Sequence, residues 1–188
     1  MARKEHSLDE SAGPSVAVSG MPAWWTRYPQ TLPPEYYAAI GEICARWSWL
    51  EFQLGVIVRE TLRLSKPAGF AVTGGMSMRS VSTVLKALSI GDLPKGHPEL
   101  RKEIGALGKK LYDIGDLRNE YVHSLWGYED QANTQLGIFK ATRPEDRIER
   151  KWIHKPIAAL EADVKTLSEL QQRAQVVTTK LKTALRRK

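Results

Sequence analysis

Residues 98–123 read PELRKEIGALGKKLYDIGDLRNEYVH. Apolar side chains recur at Leu100, Ile104, Leu107, Leu111 and Ile114, in steps of three or four residues. That is the repeat of one face of a helix. Pro98 suits the first helical turn, where no backbone N–H donor is needed. Carried on at the same period, the stripe reaches Arg118 and then Tyr121 or Val122, which sets a guanidinium in the middle of an apolar face.

The same period governs the residues before and after. A first long helix is expected from about Pro34 to Leu64, with Tyr37, Ile40, Cys44, Trp47, Glu51, Leu54 and Val58 turned inward. Glu51 breaks this stripe with a carboxylate, opposite in sign to Arg118, and a buried charge needs a partner or a proton. Trp49, Ile57 and Leu62 lie off the stripe. A helix that is apolar on more than one face touches two neighbours or another subunit.

Gly69, Gly74 and Gly75 mark a loop. Without Gly-Lys-Ser/Thr or a preceding strand it is not a phosphate loop. A short helix over Ser77–Ser89 follows, with Ser77 as its cap and Val81, Val84, Leu85 and Leu88 inward. From 126 to 153 the helical period is lost. Leu136, Ile138 and Phe139 mark one short strand, Ile148 and Trp152 a second, and Pro144-Glu-Asp a turn between them. The last helix opens at Lys155-Pro156 and runs to about Leu185 on Ile157, Leu160, Val164, Leu167, Ala174, Leu181 and Leu185. At ~1.5 Å per residue it spans ~45 Å.

The fold expected is therefore mainly α: a four-to-five-helix bundle with a β-hairpin inserted before the last long helix. Residues 1–34 read as a disordered or extended arm. Residues 1–20 are small and polar, and 21–34 hold Pro22, Pro29, Pro33 and Pro34 around Trp24, Trp25 and Tyr28. The helical domain covers 35–188, with the insertion at about 126–153.

No apolar run approaches the roughly 18–20 residues that cross a bilayer, and no signal-peptide core follows Met1. No membrane partner is expected, and the cytoplasm is the expected compartment. One cysteine, Cys44, excludes an intrachain disulfide framework. His6, His97, His123 and His154 lie in separate segments and form no compact ligand set, so neither a metal nor another cofactor is expected.

The net charge of +7 is unevenly placed. Six of the 28 basic side chains and none of the 21 acidic ones fall in residues 170–188, which leaves 22 against 21 in the rest. Lys180, Lys182, Arg186, Arg187 and Lys188 are thus candidates for contact with nucleic acid. Their other reading is a solvated helix end whose cations oppose the helix dipole.

The string that carries chemistry is Asp113-Ile-Gly-Asp116-Leu-Arg118-Asn119-Glu120-Tyr121-Val122-His123. A guanidinium can hold a phosphate and offset charge gained in a transition state. An imidazole exchanges a proton near neutral pH. An amide can orient either the histidine or a nucleophile. Together they suit cleavage of RNA by its own 2′-hydroxyl, with no metal required and DNA excluded for lack of the nucleophile. On a regular helix, however, positions 118 and 123 stand ~140° apart. Two copies across a two-fold axis would bring both groups to one cleft, so catalysis requires a homodimer. The structural alternative is an ion pair between Glu51 and Arg118 that joins two helices, with His123 near a helix end.

These residues resemble the HEPN superfamily (higher eukaryotes and prokaryotes nucleotide-binding domains). Its motif is an Arg, four to six residues and a His, often with Asn directly after the Arg. Arg118-Asn119-Glu120-Tyr121-Val122-His123 matches with four between. The order around it is similar too: a long helix with an internal acid in Trp47-Ser-Trp-Leu-Glu51, a helix ending in Arg-Asn…His, and a terminal helix. The hairpin insertion looks like some bacterial and phage branches. The likeness covers roughly residues 35–185.

It implies a compact bundle of about four helices that dimerises through the motif region. Many members look like metal-independent ribonucleases, including toxins and defence factors, while others bind RNA or assemble without cutting. On this resemblance Arg118 and His123 are catalytic, Asn119 assists them, and Glu51 braces the arginine, with Asp116 and Tyr121 as further supporting residues. An RNA substrate and a protein partner such as an antitoxin are the implied partners. Ser124 departs from the small Gly that many members carry after the His.

Overall fold

A computed structural model describes residues 32–91, 97–128, 135–142 and 149–186. The chain forms, in order, α1 (Pro34–Thr61), α2 (Lys66–Thr73), α3 (Met78–Ile90), α4 (Pro98–Asp113), α5 (Leu117–His123), β1 (Leu125–Tyr128), β2 (Leu136–Thr142), β3 (Glu149–His154) and α6 (Ile157–Arg186). The class is the expected one, a mainly helical bundle with an antiparallel β insertion before the last long helix. Five helices have eight residues or more, and α5 is a separate helix of seven. Among the described residues no helix is long and apolar enough to cross a membrane.

The core lies between α1 and α6, with the α3/α4 pair packed beside it. Ile43, Leu50, Leu54, Ile57 and Val58 of α1 are fully buried. Each such side chain contributes about 1.5–3 kcal/mol when removed from water, an upper estimate. That burial holds α1 in place, because its N-cap, Pro33, makes no side-chain capping bond. Two amide contacts fix the α1–α6 register. Gln53 Nε2 donates to Gln175 Oε1 at 2.8 Å, and Gln171 Nε2 donates to the Arg46 carbonyl at 2.8 Å.

The inward face of α1 differs from the expected stripe. Its buried line is Tyr36, Ala39, Ile43, Trp47, Leu50, Leu54 and Ile57, while Tyr37 and Glu51 are exposed. Ile57, expected outside, is fully buried; Trp49 and Leu62 are exposed as expected. Apolar residues on two sides of α1 leave the helical phase undetermined in the sequence, and packing against α6 selects the phase that hides Leu50 rather than Glu51. Gly69 belongs to helix α2 rather than to a loop. Ser65 caps that helix by accepting from the Ala68 N–H, and a Cβ on Gly69 would stand 2.5 Å from Cγ of Arg59, so α2 closes on α1 only with glycine there. Ser77 caps α3 as expected.

The insertion is a three-stranded antiparallel sheet in the order β1-β2-β3. Strands β2 and β3 form the expected pair, with Phe139 opposite Trp152. Strand β1 was not foreseen; it pairs Trp126 with Ile138. Gly127 interrupts its alternation, and at four residues it is too short to show a period. Trp24, Trp25, Tyr28, the Pro144 turn and Ile148 lie outside the described residues.

Candidate functional site

The apolar stripe of α4 does not run on to Arg118. The helix ends at Asp113, and Ile114–Asp116 form a turn in which the Gly115 N–H donates to the Tyr112 carbonyl at 3.2 Å and the Leu117 N–H to the Ile114 carbonyl at 2.9 Å. A new helix, α5, then starts with its own phase. A Cβ at Gly115 would stand 2.9 Å from Cγ of Arg79, so a side chain there would displace the arginine. Asp116 precedes α5 and pairs with Arg79 of α3, both side chains being more than half exposed. Arg79 also sits 5.7 Å from the centre of the Tyr112 ring.

The inner side of α5 is Tyr121, 1% exposed. Its hydroxyl donates to the Asp163 carboxylate of α6. Burial, then the hydrogen bond to Asp163 and that group's charge, push the Tyr121 phenol well above its ordinary value. Trp126 of β1 stacks on the ring, with centroids 6.0 Å apart and planes 16° apart, and its indole N–H donates to the Tyr121 carbonyl at 3.0 Å. Lys155 places its ammonium 5.1 Å from the ring centre and 2.7 Å from the Glu120 carboxylate, both partners of that ion pair being mostly buried. The Tyr36 hydroxyl donates to the Lys155 carbonyl at 3.0 Å, and the Tyr36 ring meets Trp126 edge-on. Three elements, α1, β1 and α6, together with Lys155 between β3 and α6, therefore hold one side of a two-turn helix.

With Tyr121 inside, α5 turns Arg118, Asn119, Val122 and His123 outward. Asn119, Val122 and His123 are exposed, and Arg118 is half-buried with Nη1 donating to Oδ1 of Asn119 at 3.3 Å. His123 is the last helical residue and has no hydrogen bond or ion pair among the described residues. Val122 and Leu125 leave an apolar margin beside the motif, 38% and 40% exposed. The arrangement offers a guanidinium joined to an amide on one arc and an imidazole further round the helix.

Glu51 is not part of this group. It is exposed on α1, accepts from Trp47 Nε1 at 2.9 Å, and forms no ion pair with Arg118 among the described residues. The Glu51–Arg118 bridge of the structural alternative does not form, for a reason on each side. The α1 phase turns Glu51 out, and the Ile114–Asp116 turn takes Arg118 off the core stripe. Ion pairs do tie the neighbourhood together, but through Arg79–Asp116 and Lys155–Glu120.

Of the basic C-terminal candidates, Lys180 pairs with Glu103 of α4 at 2.5 Å, Lys182 is exposed, Arg186 is the last residue of α6, and Arg187 and Lys188 lie outside the described residues. Asp163, Lys155 and Trp126 escaped sequence reading. Asp163 carried a usable signal: it follows Leu160 by three residues on the inward stripe of α6, a carboxylate where an apolar residue belongs. No family model, curated protein or solved structure matches this chain, so the reading of the site rests on its residues.

Proposed function

We propose that this protein is a metal-independent endoribonuclease that works as a homodimer, with Arg118, Asn119 and His123 of two copies around one RNA phosphodiester. The observation that carries the reading is the outward set of α5. The buried side chain is Tyr121, so the amide and imidazole are exposed and the guanidinium is half-buried, and none of the three fills a core position. In the reaction the 2′-oxygen bonds to phosphorus and the bond to the 5′-oxygen breaks. At each of the two composite sites the imidazole of one copy takes the 2′-hydroxyl proton, and the leaving 5′-oxygen takes a proton from water. Arg118 holds the phosphoryl oxygens as their charge grows. Val122 and Leu125 form the apolar margin through which two copies meet.

The test is incubation of mixed RNA with the wild type, Arg118→Ala and His123→Ala in the presence of a chelator. Wild type yields ends with 2′,3′-cyclic phosphate or 3′-phosphate, and each substitution lowers the rate by at least about a hundredfold. Intact RNA in all three samples, with all three folded, refutes the reading.

A second reading, a helical module that binds RNA or a protein such as an antitoxin without cutting, is favoured by one observation. Nothing among the described residues orients His123, whereas the ion pairs around α5 brace the fold. RNA retained by the wild type but never cut selects it. In either reading Arg118→Ala leaves the melting temperature nearly unchanged, because no Glu51 partner is orphaned.

A further inference from the structure

The outer face of α1 carries no charge over about four turns. At ~100° per residue, positions 37, 38, 41, 45, 48, 49 and 52 fall within ~120° of one another around the helix axis. Each of them is exposed. Large rings stand at both ends: Tyr37 at one, 53% exposed, and Trp49 and Phe52 at the other, 53% and 49% exposed. Trp49 stacks on Phe52 with centroids 5.4 Å apart and planes 24° apart. Between the two ends lie Ala38, Gly41, Ala45 and Ser48, and a Cβ added to Gly41 would meet nothing within 4 Å. The face is therefore a shallow strip of small residues closed by rings, with Glu42 and Glu51 at its borders. A surface helix normally turns charged residues to water on its outer side, so this strip has the composition of a covered surface.

What covers it follows from where the chain arrives. The Leu32 N–H donates to the Tyr37 hydroxyl at 3.1 Å, so the segment that leads into α1 is held against this face at its Tyr37 end. Residues 1–31 lie outside the described residues. In sequence, the stretch from Met21 to Leu32 holds three rings, Trp24, Trp25 and Tyr28, and a single charge, Arg27. Pro22 and Pro29 oppose a regular helix through it. At ~3.1 Å per residue of extended chain, Tyr28 is ~12 Å and Trp25 ~22 Å back from Leu32. At ~1.5 Å per residue of helix, Ala45 is ~12 Å and Phe52 ~22 Å beyond Tyr37. We propose that residues 21–31 of the same chain dock antiparallel along the outer face of α1, with Tyr28 over the small residues and Trp24 and Trp25 against Trp49 and Phe52. Arg27 then passes the border that carries Glu51, so the one charge of the segment meets an opposite one. A tethered segment competes at an effective concentration on the order of millimolar, above what a second copy of the chain reaches in dilute solution. This surface is separate from the α5 motif and stands whether or not RNA is cut.

The full chain carrying Cys44→Ala, Thr26→Cys and Ser48→Cys is treated with a short bismaleimide at low protein concentration. Denaturing gels separate a bridge within one chain from a bridge between two. A rapid bridge within one chain is expected. Two further changes, made separately, test whether the rings hold the segment down. Trp24→Ala with Trp25→Ala removes the contact from the arm, and Trp49→Glu puts a charge on the helix face. Each slows the bridge by about tenfold, a size set by the loss of large apolar contacts. Ser48 and Trp49 are exposed, so the variants keep the fold, which circular dichroism verifies. A bridge formed chiefly between two chains assigns the face to a second copy and overturns the proposal. Absence of any bridge overturns it too, as does a bridge within one chain whose rate is the same in both further variants.

Discussion

Tyr121 gives its hydroxyl to the Asp163 carboxylate while its ring lies against Trp126 and beneath the Lys155 ammonium. Removing that hydroxyl while keeping the ring isolates the hydrogen bond. Tyr121→Phe should cost about 1.5–3 kcal/mol, the range for a bond to a charged acceptor. The pH dependence follows from the raised phenol. Its value in the folded state lies above the ordinary 10.0 of an unfolded chain, chiefly because of burial. The unfolded chain therefore releases this proton first as pH rises. The stabilisation is complete below pH 10 and is lost progressively above it. Urea unfolding of the wild type and Tyr121→Phe should show a constant gap from pH 7 to 9 and a shrinking gap above pH 10. A gap that widens there would show that Tyr121 ionises readily in the fold.

At the scale of the elements, α1 closes with a residue in an unfavourable conformation. Arg63 has φ 52°, the left-handed region, and the N–H groups of Arg63 and Leu64 bond back to the carbonyls of Glu60 and Arg59 at 3.2 and 3.0 Å. This is a Schellman ending, in which the left-handed position usually holds glycine. The Arg63 side chain makes no hydrogen bond or ion pair among the described residues. Arg63→Gly should therefore stabilise the protein by about 0.5–1 kcal/mol and raise Tm by about 1–4 °C in a thermal melt. A fall in Tm would mean that the arginine side chain supports the α1–α2 turn.

The elements also mark how far sequence could reach. The α4 and α6 stripes were legible because Leu100, Ile104, Leu107 and Leu111, and likewise Leu160, Leu167, Ala174 and Leu181, keep one phase with polar residues opposite. The α1 phase was not, because Tyr37, Trp49 and Phe52 are large apolar residues on the outer side. The break before α5 was hidden for another reason. Leu117 and Tyr121 continue an apolar rhythm, so the turn at Gly115 changes the facing of Arg118 without interrupting the pattern. The motif was readable as a string; its outward set depends on Asp163, Lys155 and Trp126, which are distant in sequence.

Over the whole molecule, the proposed chemistry depends on two copies. On α5, positions 118 and 123 are about 140° apart around the helix axis, so one copy does not aim both groups at one phosphate. A two-fold pairing through Val122 and Leu125 would set Arg118 of each copy beside His123 of the other. This geometry makes a prediction that ordinary loss-of-function variants do not. Arg118→Ala and His123→Ala are each inactive alone. Unfolded together in equal amounts and refolded, they pair at random, and half of the dimers are mixed. Each mixed dimer has one of its two composite sites intact, so the mixture should recover about a quarter of the wild-type rate. A site built within one copy gives no recovery at all, and differently tagged subunits establish that mixed dimers are present. Val122→Glu in both variants should abolish the recovery, because the shared margin then carries like charges facing each other. Light scattering that finds only monomers at the assay concentration removes the composite site altogether.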